Sequence, residues 1–394
     1  KLSIRNVSFL CLFGLMNFSV FAQGDGRTGE AGASELLINP WAQSSGLSSA
    51  NTAGASGVES VFLNVAGLSR VDGTELVFSH ANWIADISIN GFGFAQKAGD
   101  SGVLALSAMS LDFGDMERTT YDSPDGTLGT FSAQYVNIAL SYAHQFSYNM
   151  SAGFTAKMIS ENAAELSANG FAVDAGVHYQ TGDQDELKFG ITLKNWGPRM
   201  SFEGDGDDVT VVGPNGSDQT LEMRSAAFEL PTLLNIGASY DLNLYGLDDT
   251  KMFRITLSET FVSNSFSKDQ FLTGLEVSYK EMVSLRGGFA YENGVFDDYD
   301  SGRTTVFSGP SAGLSFELPL SEDTRFGFDY SFSRLYLGKK NLEKYKFRPN
   351  VFLSDMTNIG VTNNSFDVVF TNHALEPNGG HEEIILKELL RIAN

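Results

Sequence analysis

The side chains that most often carry out chemistry are few in this sequence and scattered along it. No two histidines have the spacing of a helical zinc site, so we expect structural roles for them. His178 shares one face of a strand pattern with Asp174, where a satisfied polar network is favoured over catalysis. We therefore predict no enzyme activity and no resident metal or cofactor. The histidines are His80, His144, His178, His373 and His381.

Two acidic segments have the composition of cation-binding loops. Gly204-Asp205-Gly206-Asp207-Asp208 spaces its carboxylates as a calcium loop does, but the glutamate that completes such a loop is missing. The second segment, residues 296–300, reads Phe-Asp-Asp-Tyr-Asp. We interpret both as solvated loops, with an external divalent-cation site as the alternative.

The composition excludes several classes of protein. The 394 residues carry 26 basic and 48 acidic side chains, a formal charge of −22, yet only 19% are charged and 42% are apolar. Disordered chains are richer in charge, and nucleic-acid binders need a basic surface. The single cysteine excludes a disulfide framework and a Cys-based zinc site. The 41 Gly, 31 Phe and 13 Tyr beside only 9 Pro favour many strands.

The first 22 residues have the pattern of a secretory signal peptide. Two basic residues precede the apolar run Val7–Met16, which is too short to span a bilayer as a helix. Val20-Phe21-Ala22 fits the small-residue rule for a cleavage site. Cys11 lies inside the apolar run, and a lipoprotein box or a fragment of a core helix are the alternative interpretations.

Period-two alternation, which is typical of strands, recurs from residue 74 onward. One face carries Phe, Leu, Val and Met; the other is rich in Gly, Ala and Ser, with Lys157, Glu276, Arg286 and Glu317 among them. The segments run to about ten residues or more, where soluble strands average about five or six. Hydrocarbon requires every backbone group to be paired, so such strands must close. We predict an all-β fold, a transmembrane antiparallel β-barrel of 13–14 strands, and the alternative is a soluble sandwich or large secreted sheet.

The predicted connections alternate in length, as they do in bacterial barrels with short periplasmic turns and long external loops. One end has only short connections; the other has the long segments 113–129, 197–227 and 293–305, and its one short connection is 84–85. The thirteen predicted strands are 74–83, 86–96, 102–112, 130–146, 149–160, 169–180, 186–196, 228–241, 251–262, 270–280, 282–292, 306–318 and 324–335. The predicted domains are a signal peptide (1–22), a plug or periplasmic segment (23–73), the barrel (74–335) and an α/β tail (336–394).

Several short blocks, in the right order, resemble one family. Asn64-Val65-Ala66-Gly67-Leu68 resembles the Asn-Pro-Ala-Gly-Leu turn of the PorV/PorQ family, outer-membrane barrels of Bacteroidetes related to the FadL fatty-acid channels. Val65 replaces the proline, which makes the turn less rigid because proline fixes φ. Further similar blocks are 32–38, 113–119, 129–133, 193–197 and 230–231. The matching residues are Asn64, Gly67, Gly114, Asp115, Arg118, Gly129, Phe131, Trp196 and Pro231.

This resemblance, over about residues 30–335, implies a FadL-like barrel of the bacterial outer membrane that serves type IX secretion without catalysis. The implied partners are outer-membrane lipid and lipopolysaccharide, the secretion-channel protein and secreted cargo, and no nucleic acid. The first alternative is a FadL-like channel for hydrophobic compounds, partly plugged by residues 24–60. The charged lumen positions argue mildly against a conduit for such compounds.

After Leu335 the alternation stops. Residues 365–380 resemble the fourth strand and following loop of class I methyltransferases that use S-adenosylmethionine, and Asp355 matches the position beside the adenine. The Gly-rich loop of that family and its later strands are missing, so we expect no closed cofactor site. We interpret the tail as a gene fusion or frame disruption that replaced the last strand and left a gap in the barrel. The alternatives are a genuine but inactive appendage and a mistaken assignment, and a methyltransferase is the second alternative function.

Overall fold

The fold was analysed in a computed structural model. The predicted signal peptide, the carboxylates at 205–208 and 297–300, and the tail with Asp355 lie outside the described residues, so those predictions stay predictions. The described residues are 27, 30–83, 87–119, 129–204, 209–212, 217–221, 225–246, 251–296, 308–321 and 324–333.

Thirteen strands form one antiparallel sheet in which every strand pairs with its neighbours along the chain. A separate hairpin, β8–β9, lies in the long connection between β7 and β10 and was not predicted from the sequence. The strands are β1 (Thr74–Asn82), β2 (Ser88–Ala98), β3 (Gly102–Glu117), β4 (Thr130–Ser147), β5 (Met150–Ala163), β6 (Leu166–Thr181), β7 (Leu187–Trp196), β8 (Val209–Val212), β9 (Asp218–Leu221), β10 (Leu233–Tyr245), β11 (Lys251–Asn264), β12 (Gln270–Tyr279), β13 (Val283–Glu292), β14 (Gly309–Pro319) and β15 (Arg325–Ser333).

The predicted set of thirteen strands and the all-β class are confirmed. The sheet order begins at β1 and ends at β15, and within the described residues these two edges are not paired with each other. One detail of the loop pattern is wrong. β5 and β6 are joined at the long-loop end by a connection of only Ala164 and Glu165, made possible by Ala164 at φ 53°.

The two faces of the sheet differ as the alternation predicted. Large apolar side chains stand outward and exposed, among them Phe78 (72%), Leu140 (60%) and Met158 (71%). Most inward residues of the same strands are small, polar or charged and are buried or half-buried, although Val77 and Ile159 are apolar. A continuous exposed apolar band is unfavourable in water and favourable against lipid. The chain is thus an antiparallel β protein of the membrane-spanning class.

Among the described residues, no helix has both the length and the apolar character needed to cross a bilayer.

The segment before β1, residues 30–73, lies against the inner face of the sheet, and we call it the plug. It contains four short helical stretches: the 3-10 helices Ser34–Leu37 and Val65–Arg70 and the α-helices Ala42–Gly46 and Ser60–Leu63. Its apolar side chains form the core with inward residues of the wall. One such cluster packs plug residues Trp41, Val58 and Leu68 against Val103 and Ala143.

The plug also shows that the sheet is strongly curved. Trp41 packs on Gly91 and Gly93 of β2, while Gly46, five residues further on, lies against Gly313 of β14. Five residues reach at most about 18 Å. β2 and β14 stand near opposite ends of the sheet order, so the wall must wrap around the plug for both to be reached.

Candidate functional site in the plugged lumen

Close contacts with wall glycines position the plug. A Cβ atom on Gly288 of β13 would lie 2.3 Å from the carbonyl carbon of Leu47, and one on Gly190 of β7 would lie 2.7 Å from the main-chain oxygen of Thr52. A Cβ atom on Gly153 of β5 would lie 2.9 Å from the main-chain oxygen of Val65. The small inward residues of the wall therefore leave room for the backbone of the plug.

Asn64 joins the plug to β6. Its side-chain nitrogen donates to the main-chain oxygens of Thr52 (3.2 Å) and Val177 (3.1 Å), and its side-chain oxygen accepts from the amide of Ala66 (3.2 Å). Asn64 is 2% exposed, so these hydrogen bonds satisfy a buried amide. Gly67, in the same turn, has no room for a side chain, because a Cβ atom there would lie 2.1 Å from the main-chain oxygen of Ala55.

A second set of polar contacts links the plug to β6, through Arg70 in the last helical turn of the plug. The Arg70 guanidinium contacts the ring of His178, nearest to Nε2 at 2.5 Å, and donates to the side-chain oxygen of Gln180 at 3.1 Å. Burial lowers the pKa of Arg70, against the smaller influence of Asp241 and Asp185. His178 therefore belongs to a polar network, as predicted, although its partner is Arg70 of the plug.

Asp174 pairs with a different residue. Lys157 of β5 and Asp174 of β6 form a buried ion pair at 2.6 Å. Asn195 bonds to both members of this pair. Its side-chain oxygen accepts from Lys157 at 2.8 Å, and its backbone N–H donates to Asp174 at 2.7 Å. The side chain of Asn195 also donates to the main-chain oxygen of Pro231 at 3.2 Å. Two of the sequence blocks that resemble the family, 193–197 and 230–231, are therefore in contact here.

A polar cavity of about 240 Å³ lies between the plug and the wall at the short-turn end. It is lined by three basic and six acidic side chains, mostly from β7, β10–β12, β14 and β15 and their turns. The lining charges are Lys188, Arg254, Arg286, Glu59, Asp241, Glu276, Glu281, Glu317 and Asp329.

Ion pairs organise these charges into one network. Arg254 contacts Glu276 at 2.9 Å and Glu281 at 2.8 Å, and Arg286 contacts Glu276 at 2.5 Å. The hydrogen bonds from Arg254 lower the pKa of Glu281, which lies in the turn after β12, to about 2. Glu59 of the plug borders the cavity and has no basic partner at ion-pair distance in the described residues. Its burial raises its pKa to about 7, partly offset by hydrogen bonds from Ser44.

An apolar group of side chains lies at the opposite, long-loop end of the lumen. Buried Ile38 of the plug meets buried residues of β2 and β3, and half-buried aromatic side chains cover this group from the loop side. Phe113 and Tyr135 meet edge to face with ring centroids 4.9 Å apart. We call this group the apolar vestibule; its residues are Ile38, Ala81, Trp83, Ile87, Ile89, Met109, Leu111, Phe113 and Tyr135.

The remaining family-matching residues lie away from the lumen contacts. Gly114 and Gly129 have φ of 71° and 94° and shape the ends of β3 and the start of β4. Arg118 pairs with Glu165 at 2.5 Å across the long-loop end. Trp196 faces outward and is 62% exposed. Asp115 and Phe131 pair with residues of the neighbouring strand, at Ser132 and Met116. No functional role is assigned to these residues by their positions.

One sequence match has the spacing of a hydrolase nucleophile without its setting. Gly309-Pro310-Ser311-Ala312-Gly313 reads Gly-x-Ser-x-Gly, a motif that needs a sharp strand-to-helix turn. Here it runs within β14, and Ser311 donates to the main-chain oxygen of Gly46 at 3.0 Å. Ser311 therefore helps to hold the plug.

Comparison with known proteins gives structural likenesses only. No family model matches the chain. No curated protein matches it either. Among solved structures, the CymD monoaromatic hydrocarbon channel is similar at 15% identity and a TM-score of 0.46, over 75% of this chain and 93% of that one. The toluene transporter TodX of P. putida is similar at 11% identity and a TM-score of 0.46, over 75% and 92%. At these values the likeness carries no functional argument.

Proposed function

We propose that this chain is a non-enzymatic outer-membrane β-barrel that binds small hydrophobic compounds at its external end. The plug closes the lumen beneath that binding site. The observation that carries the proposal is the apolar vestibule, which joins plug and wall at the long-loop end.

Orientation follows from the loops. The long connections β3–β4, β7–β10 and β13–β14 leave one end of the sheet, and bacterial barrels place such loops outside the cell. The vestibule then faces the exterior and the charged cavity faces the periplasm. Half-buried aromatic rings over buried aliphatic side chains are the usual lining of pockets for apolar ligands.

The charged cavity limits what such a compound can do next. An apolar molecule that left the vestibule toward the short-turn end would have to enter a space lined by nine ionisable groups, at a cost in desolvation. Passage of such a compound along the barrel axis therefore requires the plug to move. Binding of the compound in the vestibule does not require that movement.

Naphthalene binding to the barrel in lipid nanodiscs tests this proposal. Of the 3 tryptophans, Trp41 and Trp196 are replaced by Phe so that Trp83 of the vestibule is the reporter. We expect saturable quenching of Trp83, weakened at least tenfold by Phe113→Asp, because a carboxylate would be placed in the apolar pocket. The control is Thr130→Asp, because Thr130 is exposed and also lies at the long-loop end, at the start of β4. This variant should bind naphthalene as the parent does. Quenching that does not saturate, or that Phe113→Asp leaves unchanged, would refute the proposal.

A second candidate function is the secretion component implied by the PorV/PorQ resemblance. The observation that favours it concerns the two edge strands of the sheet, β1 and β15. Within the described residues, the backbones of these two strands form no hydrogen bonds with each other. Unpaired edges are sites where another chain can add a strand. A photo-crosslinker at Phe78 and at Phe328 in living cells tests this. Adducts with a secretion channel or its cargo support the role, and their absence beside intact naphthalene binding leaves the channel-like proposal alone.

A further inference from the structure

Two glutamates meet where the plug touches the wall at the long-loop end. Glu35 lies in the first helical turn of the plug and is 2% exposed; Glu161 points inward from β5 and is 3% exposed. Both carboxylate oxygens of Glu35 and Oε1 of Glu161 are buried and accept no hydrogen bond from another described residue, and the two carboxyls lie within hydrogen-bond reach of each other. Buried acceptors are rarely left in this state.

The described residues offer no positive charge to either carboxyl. Within the described residues neither glutamate forms an ion pair with Lys or Arg. Their surroundings are an apolar cluster that includes Leu36, Ile159 and Leu230. Burial first, and then the negative charge of Glu161, raise the pKa of Glu35 to about 8. Two like charges buried side by side destabilise the folded chain unless a counter-charge is added or one carboxyl keeps its proton.

Two further oxygens lie on the adjoining wall. Tyr135 of β4 stands opposite Glu161 in the strand register, and Asn137 stands two positions further along the same inward face. Asn137 is 8% exposed, and its side-chain oxygen also has no hydrogen-bond donor. Residues diagonal to each other on neighbouring strands are within reach of long side chains. Asn137 thus adds an unpartnered buried oxygen of a different chemical type beside the carboxylates.

We propose that Glu35, Glu161 and Asn137 form a calcium site that joins the plug to the barrel wall. Two carboxylates balance the charge of a divalent cation, and carboxylate and amide oxygens are the ligands that calcium takes. Calcium is favoured over magnesium because it accepts six to eight oxygens in irregular geometry, whereas magnesium demands a regular octahedron and retains its waters.

The site differs in kind from the acidic loops that suggested cation binding in the sequence. The carboxylates of those loops lie outside the described residues, whereas Glu35 and Glu161 are both buried and lie on two different parts of the molecule, the plug and β5. Calcium bound here would hold the turn Ser34–Leu37 against β4 and β5. The external end of the plug would therefore be fixed when calcium is present and repelled from the wall when it is removed.

Calorimetric titration of calcium into the EDTA-treated barrel in nanodiscs tests the site. We expect one high-affinity site per chain, weakened at least tenfold by Glu35→Gln and by Glu161→Gln. Both variants should fold in EDTA, since they remove a repulsion, and gel mobility before and after heating checks that. A triple replacement of Asp205, Asp207 and Asp208 by Asn should retain the site.

Terbium luminescence locates the ion independently. With Trp41, Trp83 and Trp196 replaced by Phe, terbium in this site should be excited through Tyr135, so Tyr135→Phe should abolish the sensitised emission while calcium affinity changes less than threefold. The proposal is overturned if wild-type barrel binds no calcium, or if binding survives both Gln variants. It is also overturned if the infrared band of a protonated carboxyl, absent from Glu35→Gln, persists in the wild type at saturating calcium, since the pair would then share a proton.

Discussion

Leu47 of the plug lies so close to Gly288 of β13 that a Cβ atom on the glycine would stand 2.3 Å from the carbonyl carbon of Leu47. The neighbouring Gly287 faces outward and has no atom within 4 Å of the same position. Two consecutive glycines thus differ completely in what they tolerate. The difference arises because alternate residues of a strand point to opposite faces.

This pair gives the first prediction. Gly288→Val should displace the plug and lower stability by about 1–3 kcal/mol, as expected for overpacking against backbone that cannot move aside. Proteolysis of the plug in nanodiscs and the midpoint of thermal unfolding are the measurements. Gly287→Val is the matched control and should resemble wild type, since its side chain meets only lipid. Equal sensitivity of both variants would show that β propensity, and not plug contact, sets the effect.

The second prediction concerns the amide of Asn64. Asn64→Ala should destabilise the docked plug by about 1–3 kcal/mol, because two main-chain oxygens lose a buried donor. Asn64→Asp should cost more than Asn64→Ala, because it aims a negative charge at the oxygens of Thr52 and Val177. Hydrogen exchange of the turn Val65–Arg70 reports the loosening. If Asn64→Asp were the milder change, the donor role of Asn64 would be wrong.

The third prediction uses the departure from the family's turn. Val65 is the first residue of the 3-10 helix Val65–Arg70, a position where proline is favoured. Val65→Pro should therefore stabilise the docked plug by about 0.4–1 kcal/mol, by restricting the undocked chain. The comparison is Val61→Pro, which removes the hydrogen bond from Val61 to the oxygen of Val58 at 3.2 Å and should destabilise. Denaturant titration of the two variants measures both signs.

The fourth prediction is a pH dependence of plug docking. Glu59 has a pKa of about 7 in the folded chain, above the ordinary 4.5, because it is buried. Its proton is therefore bound more tightly when folded, and stability is greatest below pH 4.5 and falls as the pH rises toward 7. The full effect is about 3 kcal/mol.

Glu59→Gln should make that decline shallower, with the share of Glu35 remaining because its pKa is raised as well. Protease accessibility of the plug between pH 5 and pH 8 measures the change. The exposed Asp100→Asn is the control and should keep the wild-type profile. A Glu59→Gln profile as steep as that of the wild type between pH 5 and pH 7 would assign the pH dependence to other groups.

Much of the wall could be predicted from local pattern. Most strands alternate a large apolar residue such as Phe, Leu or Val with Gly, Ser or a charged residue. Because side chains of a strand repeat every two residues, this alternation decides which face of the strand is outward and which is inward. The tight turn at Ala164–Glu165 was missed, since a left-handed alanine has no distinctive sequence signal. The charge–charge pairs of the cavity follow from register, as with Glu276 opposite Arg286. That relationship is not visible before the strands are aligned.

The sequence by itself determined which residues form strands and which of their faces meets lipid, because both depend on local alternation. Only the tertiary structure decided what fills the interior. The contacts of Asn64 with Val177, of Leu47 with Gly288 and of Glu35 with Glu161 join residues more than 100 positions apart. Such contacts depend on how the sheet curves around the plug, and no local pattern of side chains specifies that curvature.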